Sequence, residues 1–304
     1  MTTQFIDPPE LPPWLEEQLP FNRRVFSDAG HDIHFIDEGE GPAVLLLHGN
    51  PTWCYLWRKV IRILADKEVR IIAPDLVGLG LSNKPSDPKI HTLDFHANRI
   101  SALVQALDLK DLTIAAQDWG GPISAVMAAR NRERIHGAVF ANTGIRVPTK
   151  QPRVTAFHKL SHRPVISDLI FRVFNYPVKK MYMVQGDRSS IGPTERRAYI
   201  YPLRAIADRA APLALARMVP INLESPTIPT LQEADDWARS FKGPVQLVWG
   251  RRDPILGRTI YPMKKLFPDA DVTETGAGHF LQEEVPEELA KAILQTVRDT
   301  PAET

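Results

Sequence analysis

Leu112–Gly121 reads LTIAAQDWGG, and the fold turns on how this stretch is read. A β-prone apolar run narrows to small residues, presents Asp118, and passes through Trp119 into Gly120 and Gly121. The helix-forming run Ile123–Ala129 follows at once. Strand, sharp turn and helix in this order match a nucleophile elbow, which exposes a reactive side chain at the top of a sheet. Small neighbours are required because the turn brings backbone segments together and leaves no room for a branched side chain. The reactive position holds a carboxylate where Ser is usual. Taken alone, the decapeptide also fits an Asp that caps the next helix.

The surrounding chain extends the pattern in both directions. Ala43–Leu47 and Arg70–Ala73 are continuous apolar runs, as expected of parallel strands buried on both faces, and Gly137–Ala141 is the next strand after the elbow. Helical stretches at Tyr55–Asp66 and at residues 92–108 alternate with them. Arg24–Ser27 and Asp32–Ile36 flank the turn signal Ala29-Gly30 and read as a hairpin, while residues 1–20, rich in Pro and acidic groups, read as a surface wrap. The glycine-rich loop Pro74–Gly80 lacks the third glycine of a dinucleotide fingerprint. From Gly144 to about Pro229 the rhythm breaks into short helices dense in Arg, Tyr, Phe and Pro. It resumes with a strand at Pro244–Trp249, helical Thr259–Phe267, a strand near Asp271–Thr275 and a closing helix Pro286–Asp299. The expected architecture is an α/β core with a mostly parallel eight-stranded sheet and helices on both faces. Residues 1–143 and 230–304 form the core, and 144–229 a helical cap inserted after the sixth strand.

Composition narrows the function classes. The 304 residues carry 37 Lys/Arg and 36 Asp/Glu, a net +1, which gives no nucleic-acid signature. The charge is uneven: Ile145–Pro220 holds 14 basic and 4 acidic residues, or +10, against −9 elsewhere. The segment reads equally as a basic docking face or as solvated helices. Cys54 is the only cysteine, so no intrachain disulfide or Cys-based metal site is expected. No apolar run approaches the roughly 18 residues of a membrane span, and the N-terminus shows no signal-peptide pattern, so a cytoplasmic location is expected.

Three ionisable residues fall just beyond predicted strand ends, where open α/β sheets place their sites. They are Asp118, Asp253 in GRRDP (250–254) and His279 in GAGHF (276–280). Singly each is weak, since Asp253 suits a turn and His279 a surface loop. Nucleophile, acid and His in that order form the triad sequence of α/β-hydrolases. The segments HGNPTW (48–53), QDWGG (117–121), WGRRDP (249–254) and GAGH (276–279) resemble those of the haloalkane dehalogenases of that superfamily, over about residues 22–298. The resemblance implies Asp118 as nucleophile, His279 as base and Asp253 as its acidic partner. It also implies Asn50 and Trp119 as halide-stabilising side chains, with their backbone N–H groups as the oxyanion hole. Some members place the acid after the sixth strand as Glu; here Ala141–Gly144 contains no carboxylate. Others draw the second halide donor from a cap Trp, and no Trp lies between Trp119 and Trp237.

Elementary chemistry agrees with this resemblance. A carboxylate with a reference pKa near 3.9 needs no base before it attacks. Its adduct with an acyl group would be an anhydride, whereas attack at saturated carbon gives a stable ester. Halide suits such attack, leaving without a proton and taking a charge that fixed donors must meet. The expected reaction is hydrolytic dehalogenation of a small halogenated substrate to alcohol and halide, with no cofactor or metal. Homo-oligomer formation is left open. The alternative is an epoxide hydrolase, whose alkoxide leaving group needs an acid that Tyr176, Tyr182, Tyr199 or Tyr201 of the cap could supply. A luciferase-type oxygenase and a non-catalytic receptor also remain. His48 is expected to shape the Asn50 loop and Asp75 to tie its own glycine-rich turn. Phe157, Phe171, Phe174 and Tyr176 are candidates to line the pocket.

Overall fold

The computed structural model describes residues 4–152 and 155–299. Among the described residues nine strands make one sheet: β1 (Gln4–Ile6), β2 (Arg23–Asp28), β3 (His31–Glu38), β4 (Ala43–Leu47), β5 (Arg70–Pro74), β6 (Leu112–Gln117), β7 (Ile135–Ala141), β8 (Val245–Gly250) and β9 (Asp271–Thr275). Their order is β1-β2-β3-β5-β4-β6-β7-β8-β9. The first three pair antiparallel and β3 runs antiparallel to β5; from β5 to β9 every neighbour is parallel. The sheet therefore has one strand more than the sequence pattern gives. The addition is β1, which pairs Gln4–Ile6 with Val25–Ser27 inside the expected surface wrap. Three residues exposed throughout carry no period-2 signal, so nothing in the sequence marks them as a strand.

Helices of six residues or more are α1 (Arg58–Leu64), α2 (Leu93–Ala106), α3 (Gly120–Arg130), α4 (Ala156–Ser161), α5 (Pro193–Ile200), α6 (Ala210–Arg217), α7 (Ile228–Ser240), α8 (Ile260–Leu266) and α9 (Pro286–Arg298). Successive strand residues point to opposite faces, so β4 splits its apolar run between two cores. Leu45 and Leu47 join Ile114, Ala116, Phe140 and Trp249 under α2, α3, α7 and α8. Val44 and Leu46 join Ala115, Val139 and Val248 under α1 and α9. This two-sided burial is why the central strands read as continuous hydrophobic runs.

The segment between β7 and α7 carries only short helices among the described residues and meets the loops that follow β4 and β9. It is anchored through Glu283, which takes a bidentate pair from Arg58 of α1 at 2.6 and 2.9 Å and the Tyr199 hydroxyl of α5 at 2.5 Å. All three are buried. Burial works against the Arg58 cation, yet the Glu283 charge and hydrogen bonds outweigh it and hold its pKa above the usual value. No described helix is long and apolar enough to cross a membrane.

Candidate active site

The loops beyond β6, β8 and β9 bring Asp118, Asp253 and His279 together, as their order in the sequence predicts. Asp118 has φ +50°, a left-handed conformation unusual for a residue with a side chain. The neighbouring glycines make that turn fit. A Cβ on Gly49 would collide with the Asp118 side chain, one on Gly120 with the Leu47 carbonyl, and one on Gly121 with Thr143. The Asp118 carbonyl is held by the Thr143 hydroxyl at 2.6 Å and by Gly121 N at 3.1 Å.

His279 Nδ1 stands 2.8 Å from Asp253 Oδ2, and its Nε2 3.7 Å from Asp118 Oδ2. The first contact is a hydrogen bond that fixes the tautomer with the proton on Nδ1. The second is too long for one and leaves Oδ2 of Asp118 uncommitted. Asp118 Oδ1 accepts the backbone N–H of Asn50 at 2.7 Å. Burial raises the Asp118 pKa above the ordinary carboxylate value, against the opposing pull of His279 and the N–H groups of Trp119 and Asn50. Burial pulls the His279 pKa down, but Asp253 and then Asp118 outweigh it and leave it above the ordinary imidazole value.

Asn50 and Trp119 both line a cavity of about 520 Å³ that includes Asp118 and His279. The Trp119 indole N–H meets no acceptor among the described residues and belongs to the cavity wall. One hydrogen of the Asn50 amide is taken by the Pro212 carbonyl of α6 at 3.0 Å. That contact also settles the amide's orientation, because a flipped group would set oxygen against oxygen. Asn50 therefore has one free donor, where its residue type alone offers two, and it couples the donor pair to the inserted segment.

Of the expected lining residues, Phe157 and Tyr176 face the cavity; Phe171 is buried inside the insert and Phe174 is exposed. Among the four tyrosines only Tyr176 lines it, and Tyr199 spends its hydroxyl on Glu283. His48 receives Leu76 N on Nε2 at 3.0 Å and places Nδ1 2.9 Å from the Gly49 carbonyl, tying the two loops. Asp75 receives Leu81 N and Cys54 N at 2.8 and 2.6 Å, and His34 Nδ1 lies 2.9 Å away. Both residues hold loops, as expected. Cys54 is buried, and burial pushes its thiol well up.

Three supports escape the sequence reading. Asn142, one residue past β7, donates to Asp253 Oδ2 at 2.8 Å and to the Gly278 carbonyl at 3.1 Å, and accepts Gly250 N at 2.8 Å. It stands where a carboxylate was sought, and its place just past a strand end was the available signal. Gln117 reaches the His279 carbonyl at 3.0 Å. Glu284 accepts Gly186 N and Gly278 N at 3.0 Å each and Asp187 N at 2.8 Å, strapping the insert to the His279 loop. Its partners lie in two loops that meet only in three dimensions, so no local pattern announces it.

Comparison with known proteins places this geometry. Residues 42–162 match the α/β hydrolase fold family. Haloalkane dehalogenase 2 of Mycobacterium tuberculosis is 33% identical, over 97% of this chain and 99% of its own length. The cis-3-alkyl-4-alkyloxetan-2-one decarboxylase of Shewanella oneidensis is 30% identical, over 94% and 91%. The crystal structure of the haloalkane dehalogenase DatA from Agrobacterium tumefaciens C58 superposes with a TM-score of 0.81 at 26% identity, covering 91% of this chain and 96% of that one. The sheet order and the turn after β6 define an α/β-hydrolase. Within that class the chain belongs to the haloalkane dehalogenase family.

Proposed function

We propose that this enzyme hydrolyses haloalkanes to an alcohol and halide through a covalent ester on Asp118. The observation that carries the reading is an ionisable Asp118 oxygen with no hydrogen bond, facing an apolar cavity beside the unpartnered Trp119 indole N–H. Oδ2 of Asp118 attacks the halogen-bearing carbon, the C–O bond forms as the carbon–halogen bond breaks, and the halide leaves with the electron pair. Trp119 Nε1–H and the free hydrogen of the Asn50 amide meet the developing charge; neither has to give up a proton.

In the second step a water attacks the ester carbonyl carbon and passes its proton to His279 Nε2. Asp253 stabilises the imidazolium that results. The negative charge collects on Oδ1, already held by Asn50 N at 2.7 Å, while the Trp119 N–H also favours negative charge on this carboxyl group. Collapse breaks the bond between the Asp118 carboxyl carbon and Oδ2, and the leaving alkoxide takes the proton from His279 Nε2 to become the alcohol. The carboxyl group loses its remaining proton to solvent, which restores the Asp118 carboxylate. Residues 144–229 act as the cap that closes the cavity and sets substrate range.

The epoxide alternative has less support, because one tyrosine alone faces the cavity and it is 45% exposed. The oxetanone decarboxylase among the relatives names a further substrate class to set beside haloalkanes. The test is halide release from a panel of bromo- and chloroalkanes, run with a styrene-oxide-type epoxide and an alkyl oxetan-2-one. Halide release above the uncatalysed rate supports the reading. Turnover of the epoxide or the oxetanone with no halide release from any haloalkane overturns it.

A further inference from the structure

Away from the reacting centre the cavity wall is mainly apolar, with Phe157, Met181, Val184, Val219 and Leu231 among its residues. His158 of α4 breaks that surface. Its Nδ1 lies 2.9 Å from the Thr155 hydroxyl oxygen, which also accepts the His158 backbone N–H at 3.3 Å. That backbone bond already caps the helix, so the imidazole is not needed for it. The Thr155 hydroxyl has no other described partner for its proton. Donating it to Nδ1 satisfies both groups and leaves the ring proton on Nε2. Nε2 makes no hydrogen bond among the described residues and is not sealed in the protein.

We propose that His158 Nε2–H is a recognition subsite for a neutral oxygen acceptor, and that the preferred substrates are organohalides with a ketone or ether oxygen remote from the halogen-bearing carbon. The inference rests on the dehalogenation reading. Burial, with the charges of His162 and His279 acting in the same direction, lowers the His158 pKa to about 4. The subsite is therefore a neutral donor at pH 7 and gives no ion pair to a haloacid, whose carboxylate Asp118 would also repel. Once a substrate excludes water, an apolar chain leaves the Nε2 proton unpaired, whereas an oxygen at the right position satisfies it. His162 and Thr155 are occupied, His162 by the His158 and Arg217 carbonyls at 2.9 and 3.1 Å. Tyr176 and Lys180, the other polar groups the insert adds to this wall, are exposed.

The experiment measures kcat/KM for halide release from straight-chain bromides of equal length. One methylene is replaced by an ether oxygen, or oxidised to a ketone, at each position from the third carbon outward. The wild type should prefer at least one oxygenated member to the parent by about five- to tenfold. In His158→Phe, which keeps a ring against Phe157, that ratio should fall to about one, and in His158→Gln, which keeps a donor, part of it should return. If the Phe variant does not fold, the ratio in His158→Leu replaces it. No preference in the wild type, or the same preference in the apolar variant, overturns the subsite while leaving dehalogenation standing. Absence of halide release from every bromide by the wild type overturns the reading beneath it, and the subsite with it.

Discussion

In the proposed mechanism Asp118, Trp119 and Asn50 carry the first chemical step, and each gives a separable prediction. Asp118→Ala should abolish turnover in a protein that still melts cooperatively, since no other carboxylate lies 3.7 Å from His279 Nε2 among the described residues. Trp119→Phe removes the unpartnered donor and should slow carbon–halogen cleavage about 10²- to 10³-fold, by analogy with oxyanion donors. Asn50→Ala should cost less than Trp119→Phe, because the Pro212 carbonyl already takes one of its hydrogens. Pre-steady-state halide release ranks the two. Asn142 makes a different prediction. Its amide shares Asp253 Oδ2 with His279, so Asn142→Leu leaves an acceptor poorly satisfied and the imidazole less firmly held. The hydrolytic step should slow more than the displacement. The pH dependence follows from His279, which must be neutral to act as base. Ester hydrolysis should therefore rise with pH and level off, through an apparent pKa lower than that of the free enzyme, because the ester removes the Asp118 charge that helps hold the imidazole above its ordinary value. A hydrolysis rate that does not change with pH across the imidazole range would contradict the assignment. The placement of Asp118, Trp119, Asp253 and His279 in loops past strand ends was legible because strand, turn and loop residues are local in sequence. Asn142 and Gln117 act through partners more than a hundred residues away, which no local pattern encodes.

At the scale of elements, the site is a junction of loops, each held by a specific support. The β6–α3 turn depends on the absence of side chains at residues 49, 120 and 121. Gly120→Ala must move either the helix start or the Leu47 carbonyl, and β4 fixes the latter. The variant should lower both Tm and kcat, and a neutral result would show that the turn is looser than its geometry implies. The insert meets the His279 loop along Val184–Asp187: His279 N donates to the Val184 carbonyl at 2.9 Å, Phe280 N to Gln185 Oε1 at 2.9 Å, and Glu284 closes the strap. Glu284→Ala strips the acceptor from three backbone N–H groups and should destabilise by about 1–3 kcal/mol. It should also lower kcat, through a less firmly placed imidazole. Urea unfolding and steady-state kinetics on the same preparation test both effects. The buried central strands were legible as apolar runs. β1 was not, because three exposed residues on an edge take their place from pairing with β2 and from Phe5 against Phe26 and Arg24, contacts that no local pattern encodes. The fine structure of the insert was equally hidden, since its short helices owe their placement to contacts such as Tyr199 on Glu283.

For the whole molecule, buried histidines make acid the weak side of the fold. Burial holds His91 down to about 4 and His96 well below 6.5, and the two rings stack with centroids 5.4 Å apart. Unfolded, both titrate near 6.5. Between that pH and about 4 the unfolded chain binds protons that the native state refuses, so stability should fall as pH falls. The slope approaches about 1.4 kcal/mol per pH unit for each such site. Chemical denaturation at pH 7, 6 and 5 should show the decline, and His96→Phe should flatten it. The Glu283 hub joins core to insert; Glu283→Gln removes the buried charge that faces Arg58, leaves it Glu195 at 3.5 Å, and should cost about 1–3 kcal/mol. In the proposed mechanism Asp118 attacks unaided and only the second step needs a base. With His279 replaced by Phe, incubation with an alkyl bromide that the wild type hydrolyses should release about one bromide per active site and then stop. The intact protein should gain the mass of the alkyl group, and the peptide containing Asp118 should carry it. A His279→Phe protein that folds yet shows neither burst nor adduct would contradict the two-step account.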